Sequence, residues 1–255
     1  MDEITQNLLE FKVTLVTVSL SVLFIGERLV PAVIRIGGWR RVIRNCGLWM
    51  LNIGLSIALI IPLSEWAVNT ALDWRPEIVN SNIELALDII LLDFLIYWWH
   101  RANHRISIFW RFHEVHHLDE FLDVTSSVRF HFGEIILSAL FRALVILTLN
   151  MPLSSILIFE GMVLIVSAFH HSNLNLEPRR EMLISKLLVT PSIHWVHHKA
   201  VEQDTDSNYG TIFSFWDSIF KSKSETKRTT EMKIGVEAKT ELSFLRLLIH
   251  PFKNN

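Results

Sequence analysis

The chain has 255 residues, half of them hydrophobic, and 24 Lys and Arg balance 26 Asp and Glu to a formal net charge of −2. This balance argues against a protein that binds nucleic acid through a basic surface. The single cysteine excludes an internal disulfide framework and a zinc site built from cysteines. A mean hydropathy of +0.33 excludes a disordered chain, which leaves the 12 His as the unusual count.

Long apolar runs follow one another along the first two thirds of the chain. They cover residues 13–26, 46–63, 83–99, 135–149 and 152–169. A bilayer core of about 30 Å needs roughly 17–25 helical residues, and the second, third and last runs come close to that length. The pattern predicts an all-α integral membrane protein with about four or five transmembrane helices. A soluble helical protein with long buried helices is the alternative.

Arginine is concentrated between the first two runs, and this predicts the orientation of the helices. The residues are Arg28, Arg35, Arg40, Arg41 and Arg44. Because positively charged loops face the cytoplasm, this segment is expected there. Counting crossings onward places residues 100–133 and the chain after His170 on the same cytoplasmic face. The start of the chain lacks the basic region of a signal peptide.

Two charges lie within the last two apolar runs. Arg142 precedes Met151 by nine residues and Glu160 follows it by nine. In a hairpin that turns at Met151 they would lie at matching depth, about 13 Å from the turn at ~1.5 Å per residue. We predict a salt bridge, because unpaired charges in a membrane are costly. The alternative is that each side chain extends to the membrane surface by itself.

Histidine is concentrated in one part of the chain, and the spacing is typical of metal ligands on helices. Eleven of the 12 His lie between positions 100 and 198, and His250, outside that range, is read as an ordinary residue. His100 and His104 are four residues apart and therefore share a helical face. The pattern H-x-x-H-H occurs at 113–117 and again at 194–198. Neutral imidazole is a common ligand of transition metals, and this many histidines suggest two ions.

These histidines lie in an ordered series of motifs. The series reads DFLIYWWHRANH (93–104), WRFHEVHH (110–117), RFHFGE (129–134), HHSN (170–173), TPSIHWVHH (190–198), DSNYG (206–210) and WDSIF (216–220). Over roughly residues 85–220 it resembles the fatty acid hydroxylase/sterol desaturase superfamily of integral-membrane di-iron oxygenases. Trp195 stands where many members have Arg, and Phe132 where Pro is common; neither is a ligand position.

The resemblance implies a membrane bundle with a cytosolic helical cap that holds a histidine-ligated di-metal site. The implied ligands are His100, His104, His113, His116, His117, His171, His194, His197 and His198. Within the HHSN motif, the family pattern His-Ser-Asn begins at His171, which favours His171 as the ligand. His170 would then pack beside the ligands or support them. For His131, a ligand and a supporting role stay open. No catalytic residue beyond the metal ligands is expected.

Three further polar residues are expected to support the ligands. Asp93 shares a helical stripe with His100 and His104, and is predicted to orient the site from the membrane side. A helix-packing role for Asp93 stays open. Asp206 and Asn208 belong to a turn that would close over the site, although a purely structural turn is equally compatible.

The chemistry implied by the resemblance is oxidation of a C–H bond in a lipid or sterol-like substrate. Two iron ions would use O2 and external electrons for hydroxylation or desaturation, and zinc is compatible with protein as isolated. The electrons would come from a separate ferredoxin, cytochrome or reductase, because no G-x-G-x-x-G motif occurs in the chain. A nucleic-acid partner is not expected. The cell membrane and the endoplasmic reticulum are not distinguished.

Two other functions are compatible with a histidine-rich membrane protein. One is a metal transporter or a metal-binding protein without oxygenase activity, although transporters hold their ligands near the bilayer midplane. The other is a zinc hydrolase, which fits less well because catalytic zinc normally takes three protein ligands.

The sequence also predicts a division of the chain into three parts. Residues 1–82 form N-terminal transmembrane helices, 83–220 the catalytic domain and 221–255 a cytosolic tail. Within the tail, residues 242–252 are predicted to form an amphipathic segment on the membrane, with an ordinary surface helix as the alternative.

Overall fold

The computed structural model describes residues 3–75 and 81–253, and this part of the chain is helical. It contains isolated β-bridges but no β-strand. The helices are α1 (Glu3–Leu29), α2 (Gly38–Leu55), α3 (Ile61–Asn69), α4 (Ser81–Arg105), α5 (Ser107–His117), α6 (Phe132–Leu149), α7 (Leu153–His171), α8 (Pro178–Ile184), α9 (Pro191–His197), α10 (Glu202–Thr205), α11 (Phe215–Ile219) and α12 (Phe244–Ile249). A π-helical turn, Ser56–Ile60, joins α2 to α3, and 3-10 turns occur at Val124–Val128 and His250–Phe252. The all-α prediction is confirmed.

Four stretches within the described residues are long and apolar enough to cross a membrane. They are Gln6–Leu29, Gly38–Asn69, Phe132–Leu149 and Leu153–His171. Many of their large apolar side chains point away from the protein, as a lipid-facing surface requires. Helix α4 has 25 residues and is also long enough, but it carries three carboxylates, Glu84, Asp88 and Asp93. The prediction of an integral membrane protein is therefore confirmed, and its orientation in the membrane stays a prediction.

Helices α6 and α7 form the predicted hairpin. Asn150 ends α6 in the left-handed conformation with φ 48°, and Pro152 precedes α7. Arg142 and Glu160 form the predicted salt bridge across the hairpin. The sequence analysis missed a third member, Lys12 of α1, whose Nζ lies 2.5 Å from the other carboxylate oxygen of Glu160. The ion cluster thus also links α1 to the hairpin.

A buried ion network joins the start of α2 to the loop after α5. The Arg41 guanidinium bonds Asp119 at 2.5 Å and Asp123 at 2.6 Å. Burial by itself would raise the pKa of Asp119, but Arg41 and Arg129 hold it below its usual range. Arg129 in turn pairs with Glu241 at 2.9 Å. The network fixes the loop that carries Arg129 against α2.

The C-terminal helix α12 packs onto α2 and α5. Leu247 is buried in one apolar cluster with Leu48, Val115 and Leu118. The opposite side of this region exposes Leu245, which is 71% accessible. The segment is thus amphipathic, while its contact with a membrane stays a prediction. The division of the chain into three parts also stays a prediction.

Candidate metal centre

The nine predicted ligands come together in two groups. The first, called here the five-histidine group, consists of His100, His104, His113, His117 and His197. The second, the four-histidine group, consists of His116, His171, His194 and His198. Within each group one ring nitrogen per residue lies within 4.8 Å of all the others. All nine are buried except His100, which is half-buried, so each group could hold a metal ion.

Helices α5 and α9 each supply both groups, and the H-x-x-H-H spacing explains how. Side chains four residues apart share a helical face, whereas adjacent residues point about 100° apart. His113 and His117 of α5 therefore face the five-histidine group, and His116 faces the other. Helix α9 and the residue that follows it have the reverse arrangement. His197 alone belongs to the five-histidine group, while His194 and His198 belong to the four-histidine group. The C-terminal ends of α4 and α7 complete the two groups.

In the five-histidine group, hydrogen bonds fix three of the rings. The Nδ1 atoms of His100 and His197 lie 2.9 Å and 2.6 Å from the backbone oxygens of Tyr209 and Ser207. The third, His113, has its Nδ1 2.8 Å from a carboxylate oxygen of Glu134. Because all three partners are acceptors, each Nδ1 carries the proton and each Nε2 keeps a lone pair. Such partners orient metal-binding histidines and make them more basic.

In the four-histidine group, backbone oxygens orient two of the rings in the same way. His116 Nδ1 donates to the Arg129 oxygen at 3.1 Å, and His171 Nδ1 donates to the Ser167 oxygen at 2.8 Å. The Nε2 atoms of these two rings, which then both carry lone pairs, lie 3.1 Å apart. Two facing lone pairs repel one another unless a cation lies close to both. The donor set therefore fits a metal ion.

The five-histidine group fits a cation for a second reason, which is its unpartnered nitrogens. The Nε2 atoms of His113 and His197 are buried without a hydrogen-bond partner in the described chain, as are both nitrogens of His104 and His117. Buried polar atoms are nearly always paired, because leaving them unpaired costs free energy. A bound metal ion would satisfy these nitrogens.

The five-histidine and four-histidine groups together, called here the histidine cap, lie in surroundings that keep several of their rings neutral. Burial, followed by the neighbouring imidazoles, lowers the pKa of His117, His194 and His198 well below the usual value. Burial lowers the pKa of His197 to about 3. Since only the neutral imidazole offers a lone pair, the burial of the cap favours the form that binds metal.

Glu134, in the first turn of α6, is a residue that the sequence analysis did not name as part of the site. Besides its bond to His113, one of its oxygens lies 3.5 Å from the Asn103 side-chain amide. Its other oxygen is buried without a hydrogen-bond partner in the residues described. In the sequence, the only indication that Glu134 belongs to the site is its position in the RFHFGE motif.

The predicted supporting residues lie at different distances from the ligands. Asp206 is close, with a carboxylate oxygen 3.4 Å from His104 Nδ1. Asp93 bonds instead the backbone N–H groups of Ile212 and Phe213, both at 3.1 Å, and so holds the segment after the turn rather than a ligand. The Asn208 side chain bonds backbone atoms at Ile193 and Ser224, which stabilises the turn.

The remaining histidines lie outside the two groups. His131 caps α6, where its Nδ1 accepts from the Gly133 N–H at 2.9 Å and its Nε2 donates to the Leu248 oxygen at 3.1 Å. His170 is buried with its ring centre 3.9 Å from that of His194. His250 lies 2.7 Å from Glu114. The structure therefore groups His171, and not His170, with the predicted ligands.

The segment 113–117 also fits the H-E-x-x-H pattern of zinc proteases, in which the glutamate acts as a general base. Here one oxygen of Glu114 pairs with Lys239 and the other with His250. Because both oxygens are engaged, the structure gives no support to the zinc hydrolase reading.

Fold and site together define a helical membrane protein with nine clustered imidazoles at the ends of its helices. The chain belongs to the fatty acid hydroxylase family, whose model matches residues 85–222. This confirms the resemblance on which the sequence analysis relied.

Several characterised proteins are similar to the chain. An ornithine lipid hydroxylase from Rhizobium tropici is 27% identical over 177 residues, which cover 69% of this chain and 53% of that protein. A human alkylglycerol monooxygenase is 31% identical over 131 residues, covering 51% and 28%. A very-long-chain aldehyde decarbonylase from Arabidopsis thaliana is 29% identical over 146 residues, covering 54% and 23%. The chain thus spans about half or less of the length of these relatives. No solved structure matches it significantly.

Proposed function

We propose that the protein is a membrane-bound di-iron oxygenase that hydroxylates or desaturates a C–H bond of a lipid or sterol-like substrate. The observation that carries the proposal is the convergence of nine imidazoles, eight of them buried, in two groups within the fatty acid hydroxylase domain. Further support comes from the relatives named as a lipid hydroxylase and an alkylglycerol monooxygenase. The relative named as an aldehyde decarbonylase indicates that substrate and outcome vary within the family.

The five-histidine and four-histidine groups would each hold one iron ion. When bound, the two ions supply the activation of O2 that oxidation of an unactivated C–H bond requires. The protein presents neutral Nε2 lone pairs for this purpose, since carbonyl or carboxylate partners hold the Nδ1 protons of His100, His113, His116, His171 and His197. Histidine donors suit iron, and zinc also accepts them.

Aromatic side chains shield the site and approach it from the membrane helices. The Phe130 ring stacks on His116 with ring centres 4.6 Å apart. On the other side, Trp99 of α4 stacks on Phe141 of α6 at 4.9 Å and contacts Phe109 at 5.2 Å. These rings offer an apolar surface between α4 and α6. We propose that a lipid chain reaches the five-histidine group along this surface, with a separate ferredoxin, cytochrome or reductase as electron donor.

The orientation proposed for the protein places both histidine groups on the cytoplasmic face, as the arginine-rich segment between α1 and α2 indicates. The metal-transport alternative is less well supported. Transport sites lie near the bilayer midplane, whereas the ligand candidates here belong to helix ends and to α5 and α9.

Single-turnover product analysis tests the proposal. The purified protein would be loaded with Fe²⁺, reduced with dithionite and mixed with ornithine lipids, alkylglycerols and sterols under ¹⁸O2. We expect one lipid class to gain one labelled oxygen, or to lose two hydrogens if the outcome is desaturation. The proposal is wrong if no lipid changes in an O2-dependent manner while both metal sites are filled.

A further inference from the structure

A surface pocket of about 390 Å³ opens beside the five-histidine group. His104 lines it, and so does Trp110, whose ring centre lies 5.0 Å from that of His104. The charged residues of the lining are Glu114, Glu202, Asp206, Glu237 and Lys239. Four carboxylates against one ammonium give the pocket a negative potential.

His104 is the ligand candidate that lines this pocket, and its ring has unsatisfied nitrogens. The side chain is 0% exposed to solvent, and neither nitrogen has a hydrogen-bond partner among residues 3–75 and 81–253. Asp206 also lines the pocket, and its carboxylate oxygen lies 3.4 Å from His104 Nδ1. A neutral imidazole carries one proton and one lone pair, and the buried lone pair of His104, beside a carboxylate of an acidic pocket, points to a cation.

The carboxylates of the pocket differ in how much of their charge is already paired. Glu114 is buried and bonds Lys239 and His250. Asp206 pairs with the exposed Arg105 at 3.1 Å. Glu202 and Glu237 are exposed and form no ion pair within the described chain. Their charges are therefore the ones available to a cation that arrives from solution.

We propose that this pocket is the route by which the metal ion reaches the five-histidine group. Glu202 and Glu237 attract the divalent cation, and Asp206 passes it to His104, the first imidazole on its path. The inference rests on the metal centre of the proposed function. Clefts lined with one sign of charge raise the local concentration and the association rate of oppositely charged ligands. Because salt screens such steering, the route also implies that loading slows at high ionic strength.

The rate of metal uptake tests this route without reference to catalysis. Metal-free full-length protein in lipid nanodiscs would be mixed with Co²⁺, and binding followed by the visible absorption of the ion. The test variant is the double substitution Glu202→Gln and Glu237→Gln, which leaves every ligand candidate and Asp206 in place. Glu231→Gln is the matched control, because Glu231 is exposed and lines a different pocket.

At low ionic strength we expect the double variant to take up Co²⁺ about tenfold more slowly than the unaltered protein. The control should load at the unaltered rate, all three proteins should reach the same final occupancy, and the difference should shrink with added salt. An unchanged rate in the double variant, or an equal slowing in the control, contradicts the route alone. Absence of Co²⁺ uptake by the unaltered protein contradicts the metal centre and therefore the route as well. If the unaltered protein takes up Co²⁺ as expected but its iron-loaded form oxidises no lipid, only the oxygenase assignment is contradicted.

Discussion

The ion cluster of the membrane helices and the histidine cap both bury polar groups, but they satisfy them differently. In the membrane part, each carboxylate oxygen of Glu160 forms an ion pair, one with Arg142 and the other with Lys12. In the cap, His104 and His117 leave both ring nitrogens without a hydrogen-bond partner in the described chain. In the membrane cluster the described chain pairs both oxygens of the carboxylate, whereas the histidine groups have spare lone pairs. This difference supports a structural role for the first and the proposed cation-binding role for the second.

The largest effect is expected from removing one ligand of each histidine group. His113→Ala and His194→Ala should each reduce lipid oxidation to background, because each takes a nitrogen donor from one metal ion. Membrane insertion should be retained in both. His250→Gln is the matched control, since His250 lies outside both groups. Full activity of either alanine variant would contradict the assignment of that group.

Neutralising the centre of the membrane cluster should affect stability rather than metal binding. Glu160→Gln leaves the charges of Arg142 and Lys12 unpaired in the membrane-spanning part, where unpaired charges are costly, and we expect a loss of about 3 kcal/mol. Thermal unfolding in detergent would measure the loss, with Glu65→Gln, an exposed position on α3, as control. Loss of metal from folded Glu160→Gln protein would show that the two regions are not independent.

Changing the partner of His113 should weaken one metal site and spare the other. Glu134→Gln replaces the carboxylate that holds the His113 Nδ1 proton, and loss of such a partner typically lowers metal affinity about tenfold or more. Chelator competition would resolve the two sites. Equal weakening of both would indicate a general loss of structure instead.

Acidification should destabilise the metal-free cap. An unfolded histidine has a pKa of about 6.5, while burial lowers the pKa of His197 to about 3. Between these values the unfolded chain binds the proton and the folded chain does not, so stability falls as the pH falls from about 6.5 toward 3. The slope is at most ~1.4 kcal/mol per pH unit for each such imidazole. We expect a lower Tm for metal-free protein at pH 5.5 than at pH 7.5, and an equal Tm would contradict the burial of neutral rings.

The sequence predicts contacts within a helix or a hairpin better than contacts between distant segments. Counting helical periods along one stretch of chain predicts that His100 and His104 share a helical face. The same counting predicts that Arg142 pairs with Glu160. Lys12 could not be predicted, because its contact depends on how α1 is rotated against α7. The division of the histidines into five and four was likewise not predictable, since it depends on how α5 and α9 face each other.

The contacts of the predicted supporting residues follow less directly from the sequence than the clustering of the histidines, for a related reason. Asp93 lies on the expected helical stripe, but its oxygens bond the backbone of residues 212 and 213, a segment that sequence spacing could not bring there. Much of the support comes from backbone oxygens, such as those of Ser207 and Tyr209. Every residue has such an oxygen, so composition and motifs carry no signal for it.

Metal analysis of the purified protein tests the central claim most directly. After loading with Fe²⁺ without oxygen and removal of excess ion, metal and protein would be quantified on the same sample, together with the His113→Ala and His194→Ala variants. The account predicts two iron ions per chain in the unaltered protein and one in each variant. A single ion or none in the unaltered protein, or two in both variants, would contradict it.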